Sequence, residues 1–225
     1  MNRSYASGLS RLSPADMLFI ESVLAPGSQG SALRQLCDDP SVLEQILDLK
    51  ALHQAVIGKP TAICLSAGLY FYILVRHAFL DAHIDDRKLA DYVAGVLAQK
   101  VSARPDPRPG SVPGWITYAV DFISIIESTS GQLKFHLQVE AGNQFLLLTG
   151  IFPEFLEHRA AQTGAPGVDF YEDFARNAYR QAASSTQAPV NAPRQLFGLL
   201  SEVFPDARRS LNKMTEHCLF IAGGF

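Results

Sequence analysis

Cysteine is scarce in this chain: there are three, Cys37, Cys64 and Cys218, odd in number and far apart in a sequence of 225 residues. None forms a Cys-x-x-Cys pair and none has a histidine at zinc-finger spacing, so neither a disulfide framework nor a thiolate metal site is expected. Free, mostly buried thiols in a reducing compartment fit this usage. Charge of one sign is lacking as well. Nineteen Lys and Arg stand against 22 Asp and Glu, for a net charge of −3. The tightest basic pair, Arg208-Arg209, is too small to neutralise a phosphate backbone, and nucleic-acid binding is not expected. Long hydrophobic runs are missing too. The best membrane candidate, "TAICLSAGLYFYILV" at 61–75, meets Arg76-His77 before reaching the roughly 20 residues that span a bilayer. The N-terminal stretch has no apolar run of the secretory kind. No Gly-x-Ser-x-Gly elbow occurs, and the glycines of "IAGGF" at the C-terminus precede no helix, so no phosphate-cradling loop is expected.

What is present is apolar and helical. Hydrophobic residues make up 48% and charged residues 18%, an ordinary globular balance for a chain able to bury a large core. Helix starts are marked repeatedly. "SPAD" at 13–16 offers Ser13 as N-cap, Pro14 at the first helical position and Asp16 reaching back, followed by Met17, Ile20 and Leu24 on one side. "DPS" at 39–41 repeats the device before a wide apolar stripe from Val42 to Val56, read as one helix. Residues 61–80 are apolar nearly all round, which predicts a rod enclosed by other helices. Asp85-Asp86 predicts a fresh cap before "RKLADYVAGVLAQKV". The Pro- and Gly-rich stretch at 103–114 predicts an irregular connection and a candidate subdomain boundary. Residues 115–127 read as another apolar helix.

The segment "QLKFHLQVE" at 132–140 alternates like a strand, and "AGN" would turn it into a hairpin. Leu133, Leu137, Ala141, Phe145 and Leu148 trace one helical face equally well. With no second strand to pair with, the helix is preferred and a β-hairpin near 132–149 is the runner-up. Pro153 opens a short helix that Gly164 ends, Asp169 and Glu172 suggest a cap for the next, Pro193 opens one to about Phe204, and Pro205 opens the last. The expected architecture is all-α: one helical domain over 1–225 with nine or ten helices.

Candidate chemistry is sparse. His77, Asp81 and Asp85 fall at i, i+4 and i+8, a spacing that can offer an imidazole and carboxylates to one divalent ion. Against this, Asp85 reads as an N-cap that would break the face. No cofactor is otherwise predicted. Ser66 in "LSAG" at 65–68 reads as bonding a carbonyl one turn back inside a buried helix. The "GIFPEF" stretch at 150–155 is a corner between helices, because Pro153 forces Phe152 towards extended backbone and Glu154 falls in the following first turn. Around it, Arg159, Tyr171 and Tyr179 suggest a pocket for a small anion or an acidic peptide. Arg209 and Asn212 in "RRSLN" lie on adjacent helix surfaces.

Four segments, "DDRKLADYVAGVLAQ" at 85–99, "EAGNQFLLLTGIFPEFLEHR" at 140–159, "VDFYEDFARNAYRQAAS" at 168–184 and "ARRSLNKMTEHCL" at 207–219, resemble parts of an uncharacterised family of bacterial helical proteins. That family shares a Gly-Asn turn, a Gly-x-Phe-Pro-Glu-like corner, an Asp-x-Tyr-Tyr-like helix start and an Arg-x-x-Leu-Asn helix. Asp91, Tyr92, Asn143, Phe152, Pro153, Glu154, Tyr171, Tyr179, Arg209 and Asn212 match its pattern. Phe170-Tyr171 stands where a Tyr-Tyr pair is the pattern. The resemblance covers the central and C-terminal two-thirds of the chain, implies a helical 132–149 and carries no assigned activity. The expectation is therefore a non-catalytic binding or scaffold protein of the bacterial cytoplasm, with an unidentified protein partner or small ligand and a homodimer as its assembly. A metal-assisted hydrolase built on the His77–Asp81 neighbourhood is the alternative.

Overall fold

The computed structural model describes residues 12–27, 30–58, 65–102 and 119–218. Every regular element among the described residues is an α-helix. In order these are α1 (Pro14–Leu24), α2 (Gly30–Cys37), α3 (Pro40–Leu47), α4 (Lys50–Gly58), α5 (Ala67–Asp81), α6 (Arg87–Ser102), α7 (Ala119–Ser128), α8 (Gly131–Ile151), α9 (Pro153–Thr163), α10 (Val168–Ser184) and α11 (Arg194–Cys218). The all-α expectation holds, with eleven helices among the described residues in place of nine or ten. The runner-up hairpin is not formed, since α8 runs unbroken through it. By contact the chain divides into two compact units, one holding α1–α6 and the other α7–α11. The 103–114 connection lies outside the described residues.

In the first unit, local chemistry sets the boundaries. Ser13 and Asp16 form the expected reciprocal cap: Asp16 N donates to Ser13 Oγ at 3.1 Å and Ser13 N donates to Asp16 Oδ2 at 2.7 Å. The second oxygen of the fully buried Asp16 accepts from Ser66 N at 2.8 Å, which ties the start of α1 to the start of α5. Ser66 is accordingly the cap of α5, accepting from Leu69 N at 3.2 Å. It does not bond back inside a helix as expected. The stripe from 42 to 56 is likewise two helices. α3 ends at Leu47, Asp48 caps it, and the carboxylate of Asp48 is drawn into ion pairs that fix a turn there. Asp86, rather than Asp85, caps α6, accepting from Leu89 N at 2.8 Å. α5 carries the core of this unit, with Leu69, Phe71, Ile73, Leu74, Val75 and Phe79 buried as its apolar composition requires.

The second unit is built on α8, in which every residue from Ala141 to Ile151 is buried. Two glycines let neighbouring helices approach. A Cβ on Gly142 would stand 2.7 Å from the Tyr179 ring of α10, and one on Gly150 would stand 2.9 Å from Leu211 Cβ of α11. Pro153 opens α9 and Gly164, at φ 66°, closes it in the left-handed conformation that disfavours any Cβ. The expected Asp169–Glu172 cap does not occur. Gly167 is the N-cap, Asp169 lies inside the first turn, and Glu172 instead pairs with Arg208 at 2.8 Å.

Nor does Pro205 begin a new helix; it sits within α11. A proline there leaves the carbonyl four residues back, that of Ser201, without its helical N–H. Arg176 of α10 fills the gap, donating from Nε to Ser201 O at 3.2 Å. The helix continues because a side chain from its neighbour replaces the missing donor.

Candidate functional site

Two regions hold chemistry-bearing side chains, one in each unit. The first lies on α5. Its apolar run is interrupted by Tyr72, Arg76 and His77, all at least nine-tenths buried. A guanidinium this deep requires anionic partners. Asp48 supplies a fork, accepting from Arg76 Nε at 2.8 Å and Nη2 at 3.1 Å, and Asp85 accepts from Nη2 at 2.6 Å. Arg87 of α6 also donates to Asp48, at 2.7 Å. Burial works against both charges, yet the hydrogen bonds prevail: the Arg76 guanidinium is held firmly protonated and the Asp48 carboxyl is held below its usual range. Burial and the adjacent Asp48 charge push the Tyr72 phenol up.

His77 stacks on His53 of α4, with ring centroids 4.3 Å apart and planes 16° from parallel. Burial, then the neighbouring His53, pushes the His77 imidazole down to about 4, and burial likewise lowers His53. Both rings are therefore neutral near pH 7. Tyr72 Oη, Arg76 Nη1 and His77 Nε2 are buried without a hydrogen-bond partner among the described residues.

The residues of the divalent-ion reading part company here. α5 ends at Asp81, which is exposed, and Asp85 lies beyond the turn, occupied by Arg76. The expected capping role of Asp85 belongs to its neighbour Asp86. Among the described residues no three His, Cys, Asp or Glu side chains converge in a way that could hold a metal ion. Sequence reasoning missed Asp48, His53 and Arg87. The available signal was Arg76 itself, since a cation inside "YILVRHAF" must recruit carboxylates from neighbouring helices.

The pocket residues proposed from the corner also separate. Tyr179 OH donates to Asn143 Oδ1 at 2.8 Å inside the α8–α10 packing. Tyr171 is buried against Phe145, with centroids 5.2 Å apart. Phe152 joins α8 to α9, Glu154 is exposed in the first turn of α9, and Arg159 is half-buried further along it. Arg209 is exposed and pairs with Asp206 at 2.7 Å, and Asn212 is half-buried on α11. Of the set, the structure brings Asn143 and Tyr179 together as a buried pair.

Concave surface in this unit lies elsewhere: a hollow of about 550 Å³ is lined by Ala183, Ala192, Pro193, Arg194 and Gln195, and two more lie between α7, α8 and α10. One of these two, of about 350 Å³, is lined by Ile123, Ile126, Glu127, Lys134, Gln138, Phe174, Asn177, Ala178 and Gln181. The other, of about 340 Å³, is lined by Gly131, Lys134, Gln138, Gln181 and the 184–187 turn. They share Lys134, Gln138 and Gln181, so they form one furrow. At its waist Gln138 Nε2 donates to Gln181 Oε1 at 2.7 Å. Aliphatic and aromatic side chains wall one part, and amides and hydroxyls line the other. Glu127 and Lys134 both face the furrow, and neither has an ion-pair partner among the described residues. Nothing in the sequence advertised this site, because its residues are ordinary helix-surface types spread over 123–187.

Comparison with protein-family profiles, with curated proteins and with solved structures finds no match.

Proposed function

We propose that this protein works by binding a small molecule, and that the furrow between α7, α8 and α10 is where it binds. The observation that carries the reading is the contrast in accessibility between the two polar regions. Tyr72, Arg76 and His77 are 1%, 2% and 7% exposed, so solutes reach them only if helices part. The furrow is open, and its two hollows fall in the size range of small-molecule sites. Its lining also has the composition of such a site: an apolar wall, a few amides and isolated charges. None of its side chains is an evident nucleophile paired with a base, which favours binding over bond chemistry.

The hydrolase alternative would use His77 with Asp81, and it requires an aqueous path to an imidazole that is neutral and enclosed. Ile125 and Leu133, exposed on α7 and α8, give this unit apolar surface that supports a role in meeting partners, including a second copy in a bacterial cytoplasm. No helix among the described residues is long and apolar enough to cross a membrane.

A fragment screen read by amide chemical shifts tests the proposal. Hits should move the resonances of Lys134, Gln138, Asn177 and Gln181. A screen whose hits all map to α1–α6, or one that yields none, would overturn it.

A further inference from the structure

Resting on the reading of the furrow as the binding surface, we infer that its ligand is a free α-amino acid with an apolar side chain. The argument starts from Glu127 and Lys134. Glu127, exposed on α7, and Lys134, half-buried on α8, line one hollow of about 350 Å³. The two do not pair with each other. A carboxylate and an ammonium that line one hollow without pairing complement a zwitterion: the ligand's ammonium faces Glu127 and its carboxylate faces Lys134. Between them, Gln138 and Asn177 offer amide donors and acceptors of the kind that hold an amino acid's polar end.

The remaining walls select the side chain. Ile123, Ile126, Phe174 and Ala178 give an apolar surface with no donor or acceptor, which accommodates a branched aliphatic or aromatic group and repels a charged one. Simple fatty acids fit less well, because Glu127 would face their chain without a partner. Amines fit less well, because Lys134 would repel them. A long peptide is disfavoured for another reason: condensing the carboxylate into a peptide amide removes the charge that Lys134 complements. Each exposed charge contact is worth about 0.2–1 kcal/mol, so neither alone gives strong selection and the two together decide it.

Titration calorimetry of the full chain with L-leucine, 4-methylpentanoate and 3-methylbutylamine tests the inference. These probes share the branched chain and differ only in which charges they carry. Leucine should bind about fivefold more tightly than either analogue. Glu127→Gln should bring leucine down to the level of 4-methylpentanoate, and Lys134→Met should bring it down to that of the amine. Both positions are on helix surfaces, and an unchanged circular dichroism melt will show that the variants fold. Equal affinity of leucine and either analogue would overturn the inference, as would a leucine affinity unmoved by both substitutions. If fragments still map to the furrow while leucine does not bind, the amino-acid assignment falls and the binding surface stands. If nothing maps there, both fall.

Discussion

α5 and α8 each run through the middle of their unit, and each must bury polar groups, but they do so with different chemistry. α5 buries an arginine and a histidine, and three polar atoms of Tyr72, Arg76 and His77 find no partner among the described residues. α8 buries Gln138, Asn143, Gln144 and Thr149, all uncharged; Gln138, Asn143 and Thr149 are hydrogen-bonded to Gln181, Tyr179 and the Phe145 carbonyl respectively. A neutral amide needs one or two partners and little else, so it can lie inside a tightly packed helix pair at small cost. A buried guanidinium obliges the chain to spend carboxylates on it from the α3–α4 turn and the α5–α6 connection. The comparison suggests that the α1–α6 unit is specified by charge and the α7–α11 unit by steric fit. Gly142 beneath Tyr179 exemplifies the latter.

The most severe test of this contrast is removal of Asp48. Asp48→Ala leaves Arg76, 2% exposed, with Asp85 alone, and that side chain is 76% exposed and largely screened. Breaking a buried pair from one side costs 3–5 kcal/mol, and the surviving Asp85 places the expected loss at about 3 kcal/mol in a denaturant titration. Hydrogen exchange locates the effect. Amides of α4, α5 and α6 should lose protection while those of α8 and α10 keep it. Equal loss in α8 would mean that the two units do not differ in what holds them.

A gentler probe is acidity. His77 is surrounded by His53, Asp48, Asp81 and Arg76, and folding lowers it from 6.5 to about 4. Between those values the unfolded chain binds a proton that the folded chain refuses. Stability from this group is therefore complete above pH 6.5 and declines as pH falls towards 4, by about 3 kcal/mol. His77→Phe retains the stack on His53 but cannot titrate. Denaturant midpoints measured at pH 7, 5.5 and 4.5 should fall less steeply for this variant than for the natural chain. Identical slopes would show that other groups govern the acid limb.

These features were unequally legible in the sequence. Caps that act within four residues, such as Ser13 with Asp16 or Pro40 after Asp39, were readable because the partners are adjacent in the chain. Helix breaks that depend on distant partners were not. Asp48 splits the 42–56 stripe only because Arg76 and Arg87, 28 and 39 residues away, claim its carboxylate. The same distance dependence hid the furrow: Glu127, Lys134 and Gln181 carry no motif, and only the packing of three helices brings them to one hollow. Tyr179 and Asn143 were singled out together, but their spacing could not reveal that they face inward to each other.

Pro205 is the sharpest instance, and it supplies the smallest effect worth measuring. Local rules place a helix start at a proline, yet α11 passes through because Arg176 donates to the carbonyl of Ser201. That donor matters only while the proline is present. Arg176→Met should cost about 1 kcal/mol, the value of one hydrogen bond to a buried carbonyl. In a Pro205→Ala background the backbone N–H returns to Ser201, and the same substitution should cost far less. The coupling between the two sites, read from a double-mutant cycle in denaturant, is expected at about 1 kcal/mol. A cost for Arg176→Met that is the same in both backgrounds would mean that the arginine serves some other contact, such as its weaker approach to Asp173 at 3.8 Å. A reduced cost would show a side chain standing in for main chain. That is the form of steric and hydrogen-bond complementarity that distinguishes this unit from the charge-held one.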